Sequence, residues 1–183
     1  MFRITLNSAV GKGLSSGYAA INGVFGTDEI ASTLSNEGFT PMYFTHSAQP
    51  MACAAATTVL QILRRESLLE RAKNIGAQLK QRLTDQFSDH PHVAEVRGDG
   101  LMIALEFVKD KSTLECFDLE CRVTDRLIEH ALSEGVMFYP GGTGEYRDIL
   151  CIGAPFIIGE QDIELMITVL KGSMDKVLPK ASC

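Results

Sequence analysis

The sequence predicts two parts of different construction, an α/β segment over residues 1–65 and an α+β domain over residues 66–183 with helices on a mostly antiparallel sheet. Three observations carry this. Near Glu66 the chain changes from small apolar residues to helices with one apolar and one charged face. From Val93 onward the periodicity reads strand, strand, helix, strand, strand, helix. Ahead of both, residues 19–24 are small and apolar enough for a short buried strand.

Taken in order, Asp28 and Glu29 open a helix that ends around Glu37 and Gly38, since acidic residues suit the first turn of a helix. Residues 49–65 bring Met51, Ala55, Val59, Ile62 and Leu63 to one side of a closely packed helix. Leu68, Ala72, Ile75, Leu79 and Leu83 recur at three- and four-residue steps, opposite Glu70, Arg71, Lys73, Lys80 and Arg82, and Pro91 stops that helix. Residues 93–97 and 101–108 turn to strand character, joined by Gly98-Asp99-Gly100, residues suited to a tight turn. Residues 117–133 read as a helix with Val123, Leu127 and Ala131 inward, ended by Gly135. Strands are expected at 136–139 and 149–152. The last helix, 160–177, turns Ile163, Met166, Ile167, Leu170 and Met174 inward.

Composition narrows the function classes. A chain of 183 residues buries about 70% of its unfolded surface on folding, enough for one or two cores. A net charge of -6 with no basic cluster argues against a nucleic-acid or anionic-membrane partner. There is no signal-type apolar stretch at the start and no run long enough to span a bilayer, so a soluble, cytoplasmic protein is expected. The five cysteines, odd in number and without metal-type spacing, fit packing thiols of a reducing compartment. The histidines have no carboxylate spacing that suggests a metal site; His46 is placed to line a site entrance.

Three residues stand out for chemistry. Lys12 lies in a turn of small residues, Gly11, Gly13, Ser15 and Ser16, where a flat cofactor can approach the backbone. A phosphate-binding P-loop is excluded, because Leu6 stands where it needs glycine and Gly13 where it needs Ser or Thr. A lysine amine freed of its proton becomes a nucleophile, whereas the plain reading of Lys12 is a solvated charge. Thr45 precedes a helix expected to start near Ser47; a hydroxyl with free helix amides makes a phosphate site or a simple cap. Arg147, in Glu145-Tyr146-Arg147-Asp148, is either a surface arginine paired with its acidic neighbours or a fork for a planar carboxylate.

The stretch Lys12-Gly13-Leu14-Ser15-Ser16-Gly17-Tyr18, the later Thr45-His46-Ser47-Ala48-Gln49-Pro50, Val96-Arg97-Gly98-Asp99-Gly100, and Ala154-Pro155-Phe156 together resemble the class III aminotransferases, from about Val10 to Leu178. That resemblance implies a fold-type I enzyme using pyridoxal 5'-phosphate. Residues 1–65 would be the α/β remnant of its cofactor-binding large domain with the interdomain helix, and residues 66–183 its small domain. Lys12 would be the Schiff-base lysine and general acid–base. Thr45 would reach the cofactor phosphate of the neighbouring subunit in a homodimer. Arg147, seven residues before Ala154, would bind a substrate carboxylate, and Arg97 would brace the small domain. The implied reaction moves an amino group from an amine or amino acid to a 2-oxo acid or aldehyde. The family's phosphate loop, ring-stacking aromatic residue and ring-nitrogen aspartate precede the lysine and have no matching positions here. The chain is therefore expected to be a fragment, half of a split enzyme or a truncated product, inactive alone. The rival expectation is a non-catalytic interaction protein that binds a full-length homologue or a complementary half.

Overall fold

The structure, a computed structural model, describes residues 7–39, 44–144 and 146–178. It divides into two compact units, Met1–Ser67 and Leu68–Cys183. Among the described residues no helix is long and apolar enough to cross a membrane.

In the first unit β1 (Asn7–Val10) pairs antiparallel with β2 (Gly23–Gly26), from Asn7↔Gly26 to Val10↔Gly23. A single 3₁₀ turn, Lys12–Ser15, lies between them. Helix α1 (Asp28–Asn36) is capped by Thr27, whose Oγ1 accepts the Ile30 amide. Helix α2 (Pro50–Arg65) follows. The unit has almost no interior: its buried described residues are Ser15, Ala52 and Ala56. The strand expected at 19–24 forms later, and Val24 is 80% exposed rather than buried. A two-stranded ribbon has too little surface to enclose side chains, so its apolar residues stay outside. Met51, expected inward on α2, is likewise exposed, while the smaller Ala52 and Ala56 pack.

The second unit holds α3 (Leu68–Phe87), β3 (Val93–Asp99), β4 (Met102–Phe107), α4 (Val123–Ser133), β5 (Tyr139–Thr143), β6 (Tyr146–Gly153) and α5 (Glu160–Val177). Its sheet runs β3-β4-β6-β5, antiparallel throughout. Alternate residues Ile103, Leu105 and Phe107 enter the core while Met102 on the other face stays exposed, which is the period-two pattern of a sheet covered on one side. The core joins these to Leu79, Leu83 and Phe87 of α3, Leu127 and Ala131 of α4, and Ile163, Leu170 and Met174 of α5. Each of the Leu, Ile, Phe and Met side chains contributes about 1.5–3 kcal/mol on burial.

Two expected elements differ. The single helix expected over 117–133 is a 3₁₀ turn at Leu119–Cys121 and then α4, because Arg122 takes a left-handed conformation with φ of 44° and interrupts it. The strand expected at 136–139 pairs only from Tyr139 onward, opposite Cys151; Phe138 before it is buried in the core. Cys53, Cys116 and Cys151 are free thiols, and Cys121, buried, is not among them.

Candidate active site

Lys12 stands where β1 leaves its ribbon. Gly11 is fully extended (φ −175°, ψ −152°), and the chain then turns sharply, with Lys12 at φ 48°, Ser16 at 52° and Gly17 at 82°. A left-handed backbone costs a non-glycine residue roughly 1–2 kcal/mol, and such strain gathers at functional sites. The turn is held by amides of Leu14, Ser16 and Tyr18 donating to the carbonyls of Gly11, Gly13 and Ser15, each at 3.0 Å. Ser15, fully buried, pins it further by donating from Oγ to the Ala19 carbonyl. Lys12 itself is exposed, and a Cβ placed on Gly13 or Gly17 would meet nothing within 4 Å, so the approach to the lysine is open.

Gly11 backs on to Ile21 and Asn22, its would-be Cβ lying 3.8 Å from the Ile21 carbonyl oxygen and 3.6 Å from Asn22 Cβ. Those two residues line a cleft of about 350 Å³ together with Phe44, His46, Gln49 and Cys53. Thr45 sits on the exposed turn between these lining residues. That turn is closed by the Ser47 amide donating to the Phe44 carbonyl at 2.8 Å and by the Phe44 amide donating to Ser47 Oγ at 2.9 Å. Helix α2 starts at Pro50, not near Ser47, and its cap is Gln49, whose Oε1 accepts the Ala52 amide at 2.9 Å. Thr45 is therefore not the helix cap. Pro50 suits the first helical position and moves the start there. No hydrogen bond joins Thr45 to Lys12.

Arg147 lies on β6 in the second unit. Its Nη1 donates to the Gly144 carbonyl and its Nη2 to the Phe117 carbonyl, both at 3.1 Å, so among the described residues two backbone oxygens hold it. A guanidinium has five N–H donors, and two are used among the described residues. Arg97 pairs with Glu106 across the β3–β4 ladder and with Glu95 at 3.0 Å, and the hydrogen bond it donates to Glu106 above all raises its pKa.

Sequence reasoning missed Asp148 and Thr124. Asp148 is 7% exposed and Thr124 5%, and both line a cleft of about 290 Å³ with Arg122, Asp125, Gly141 and Arg147. Burial pushes the Asp148 carboxyl up; the Arg147 charge and the Thr124 amide and hydroxyl oppose this, and Asp125 adds to it. The sequence signal is an acid set directly against the apolar run Ile149-Leu150-Cys151-Ile152.

Residues 8–174 match the family described as Aminotransferase class-III. The chain is 34% identical over 172 residues to putrescine–pyruvate aminotransferase of Pseudomonas aeruginosa, covering 91% of this chain and 35% of that protein. It is 32% identical to diaminobutyrate–2-oxoglutarate transaminase of Halomonas elongata, covering 92% and 36%. Among solved structures it superposes on a transaminase obtained by ancestral reconstruction with a TM-score of 0.87 at 33% identity, covering 95% of this chain and 38% of that one. A pyridoxal phosphate-bound aminotransferase mutant from Vibrio fluvialis gives 0.85 at 26%, covering 95% and 38%. The chain thus spans little more than a third of the length of these relatives.

Proposed function

The chain belongs to the class III aminotransferases, and we propose that it supplies Lys12, Thr45 and Arg147 to an enzyme that moves an amino group from an amine or amino acid to a 2-oxo acid or aldehyde. The supporting observation is Lys12, exposed on a strained left-handed backbone beside glycines that leave its approach open. The two units correspond in this reading to the end of the large domain and to the small domain, with the division at Ser67 and Leu68.

The residues present fit pyridoxal 5'-phosphate, since the exposed lysine has room for a flat ring and the exposed Thr45 hydroxyl is available to a phosphate oxygen. When bound, that cofactor supplies an electron sink for charge developing on the substrate carbon. Lys12 Nζ holds it and carries the proton to and from that carbon as general base and acid. Thr45 Oγ1 donates to the phosphate of a neighbouring subunit. Arg147 offers its guanidinium to a substrate carboxylate.

This reading calls for a partner. Val24, Phe39, Phe44, Met51 and Leu60 of the first unit are all at least half exposed. Single exposed apolar residues are ordinary, but a unit with three buried residues among those described needs a cover, from a second copy or a complementary half-chain. The comparisons favour the enzyme reading over a purely non-catalytic interaction protein. The test is incubation with pyridoxal phosphate, borohydride reduction and mapping of the labelled lysine. Label on Lys12, abolished in Lys12→Ala, is expected; equal labelling of Lys73, Lys80 and Lys171 would overturn the assignment.

A further inference from the structure

His90 and His92 flank Pro91 in the turn that carries the chain from α3 into β3, and both are half-buried. The His92 amide donates to His90 Nδ1 at 3.2 Å, so that nitrogen must offer a lone pair and the His90 proton sits on Nε2. His92 Nδ1 faces the carbonyls of Val108 at 3.1 Å and Lys109 at 3.0 Å, which can only accept, so it carries its proton whatever the charge of the ring. The two histidines are therefore unequal. His92 keeps these bonds on gaining a proton. His90 cannot, because an imidazolium has an N–H on both nitrogens and its Nδ1–H would point at the His92 N–H.

This turn leads to Arg147 by direct contact. The His90 and His92 rings have centroids 5.7 Å apart, and those of His92 and Phe117 are 5.5 Å apart, each pair tilted by 50°. Phe117 is buried in the core, and its carbonyl accepts Arg147 Nη2 at 3.1 Å. All four residues belong to the second unit. Burial above all, then His92, holds the His90 imidazole below the usual histidine range; Asp175 opposes this, and Lys111 and Lys171 add to it. Asp175 is itself paired with Lys171 at 2.9 Å on α5, and Lys111 Nζ donates to the Ser88 carbonyl. The neutral, accepting form of His90 is thus the resident one at neutral pH.

We propose that His90 is a proton-operated latch on the α3–β3 turn, and that through His92 and Phe117 it governs how firmly Arg147 is held. Neutral His90 keeps the His92 amide and, with it, the ring contact that seats Phe117. Protonated His90 releases that amide, the ring contact loosens, and the Phe117 carbonyl holds Arg147 less firmly. The charges that share a cleft with Arg147 are Arg122, Asp125 and Asp148. The latch needs nothing from the aminotransferase reading; only its consequence for substrate, weaker carboxylate binding as the pH falls, rests on Arg147 having that role.

The experiment is an NMR pH titration of the full chain that follows the His90 ring, the His92 amide, the Phe117 ring and the Arg147 Nε–H. All four should move with one midpoint, below about 6.5, with the His92 amide proton shifting upfield as its bond opens. In His90→Gln, whose amide oxygen can accept the His92 N–H but cannot be protonated, that step should vanish at Phe117 and Arg147. A separate step at Arg147 from the neighbouring Asp148 carboxyl remains there and disappears in Asp148→Asn. Phe117→Leu, which keeps the carbonyl and removes the ring, should leave the step at His90 and His92 and abolish it at Arg147; should H90Q not fold, F117L carries the test. A His92 amide that stays still while His90 titrates would overturn the proposal. So would an Arg147 signal without the His90 midpoint, or one that keeps that step in H90Q or F117L. No cofactor or substrate enters these readings, so a failed latch and a failed assignment of Lys12 are separate results.

Discussion

Helix α3 meets the β3–β4 hairpin at a point where only glycine fits. A Cβ on Gly76 would lie 2.0 Å from the Gly100 carbonyl oxygen, 2.3 Å from its carbon and 2.7 Å from its Cα. An unstrained carbon–oxygen approach is about 3.3 Å, so Gly76→Ala must part helix and hairpin by more than 1 Å. The hairpin cannot yield cheaply. Gly100 holds φ 55° in the turn, Gly98 holds 132°, and the ladder beyond is fixed by Asp99↔Met102 and Gly98↔Ile103. Moving α3 instead loosens Leu79 and Leu83, both fully buried, and breaks the Lys80 bond to the Gly98 carbonyl. Overpacking of this kind costs about 3 kcal/mol, and alanine returns about 1 kcal/mol of helix propensity, leaving roughly 2 kcal/mol of destabilisation. For a unit of this size that lowers Tm by about 8 °C in thermal unfolding followed by circular dichroism. The internal control is Gly172 on α5, where a Cβ meets nothing within 4 Å; Gly172→Ala should stabilise by up to about 1 kcal/mol. A G76A chain that melts within about 2 °C of the parent, or above it, would refute the close-approach argument.

Other outcomes follow from the same geometry. Limited trypsin digestion should cut at the exposed Arg64 or Arg65 and leave a resistant core starting between Gln61 and Arg71; a resistant fragment keeping β1 would show that the first unit has found another cover. Burial, then the neighbouring His92, lowers the His90 pKa, and His90 Nδ1 accepts the His92 amide at 3.2 Å. The unfolded chain therefore takes up this proton first: the His90 contribution is intact above about pH 6.5 and is lost as pH falls through the lower folded value. Urea titrations at pH 7 and 5 should show that loss and show less of it in His90→Gln. For Asp148 the sign reverses. Its raised carboxyl pKa means stability is lost as pH rises through the folded value, so Asp148→Asn should flatten that dependence in the same titrations. Amino transfer to pyruvate or 2-oxoglutarate by the isolated chain should be very weak, because groups that act as a unit lose rate together when some are missing. Turnover by a pure monomer would contradict the need for a partner.

The second unit was readable because its signals are periodic and local. Leu79 and Leu83 at a four-residue step, Ile163, Leu170 and Met174 on α5, and the alternation Ile103, Leu105, Phe107 each fix a buried face before any neighbour is known. The first unit was less so. Residues 19–24 read as a buried strand, yet burial is a property of what covers a strand, and Val24 has no cover. The expected start of α2 near Ser47, with Thr45 before it as cap, gives way because Ser47 closes a turn with Phe44 and Gln49 caps the helix instead.

Sequence by itself determined the family, the identity of Lys12, Thr45 and Arg147 as candidates, and the order of elements in the second unit, since residue type and spacing along the chain carry these. Tertiary structure decided what distance along the chain hides. Phe117, thirty residues from Arg147, takes part of its guanidinium; Gly100 forbids a side chain on Gly76; and the packing of β6 against α4 buries Asp148. Those outcomes depend on which backbone atoms arrive beside which side chains, and that is set by packing rather than by any local pattern.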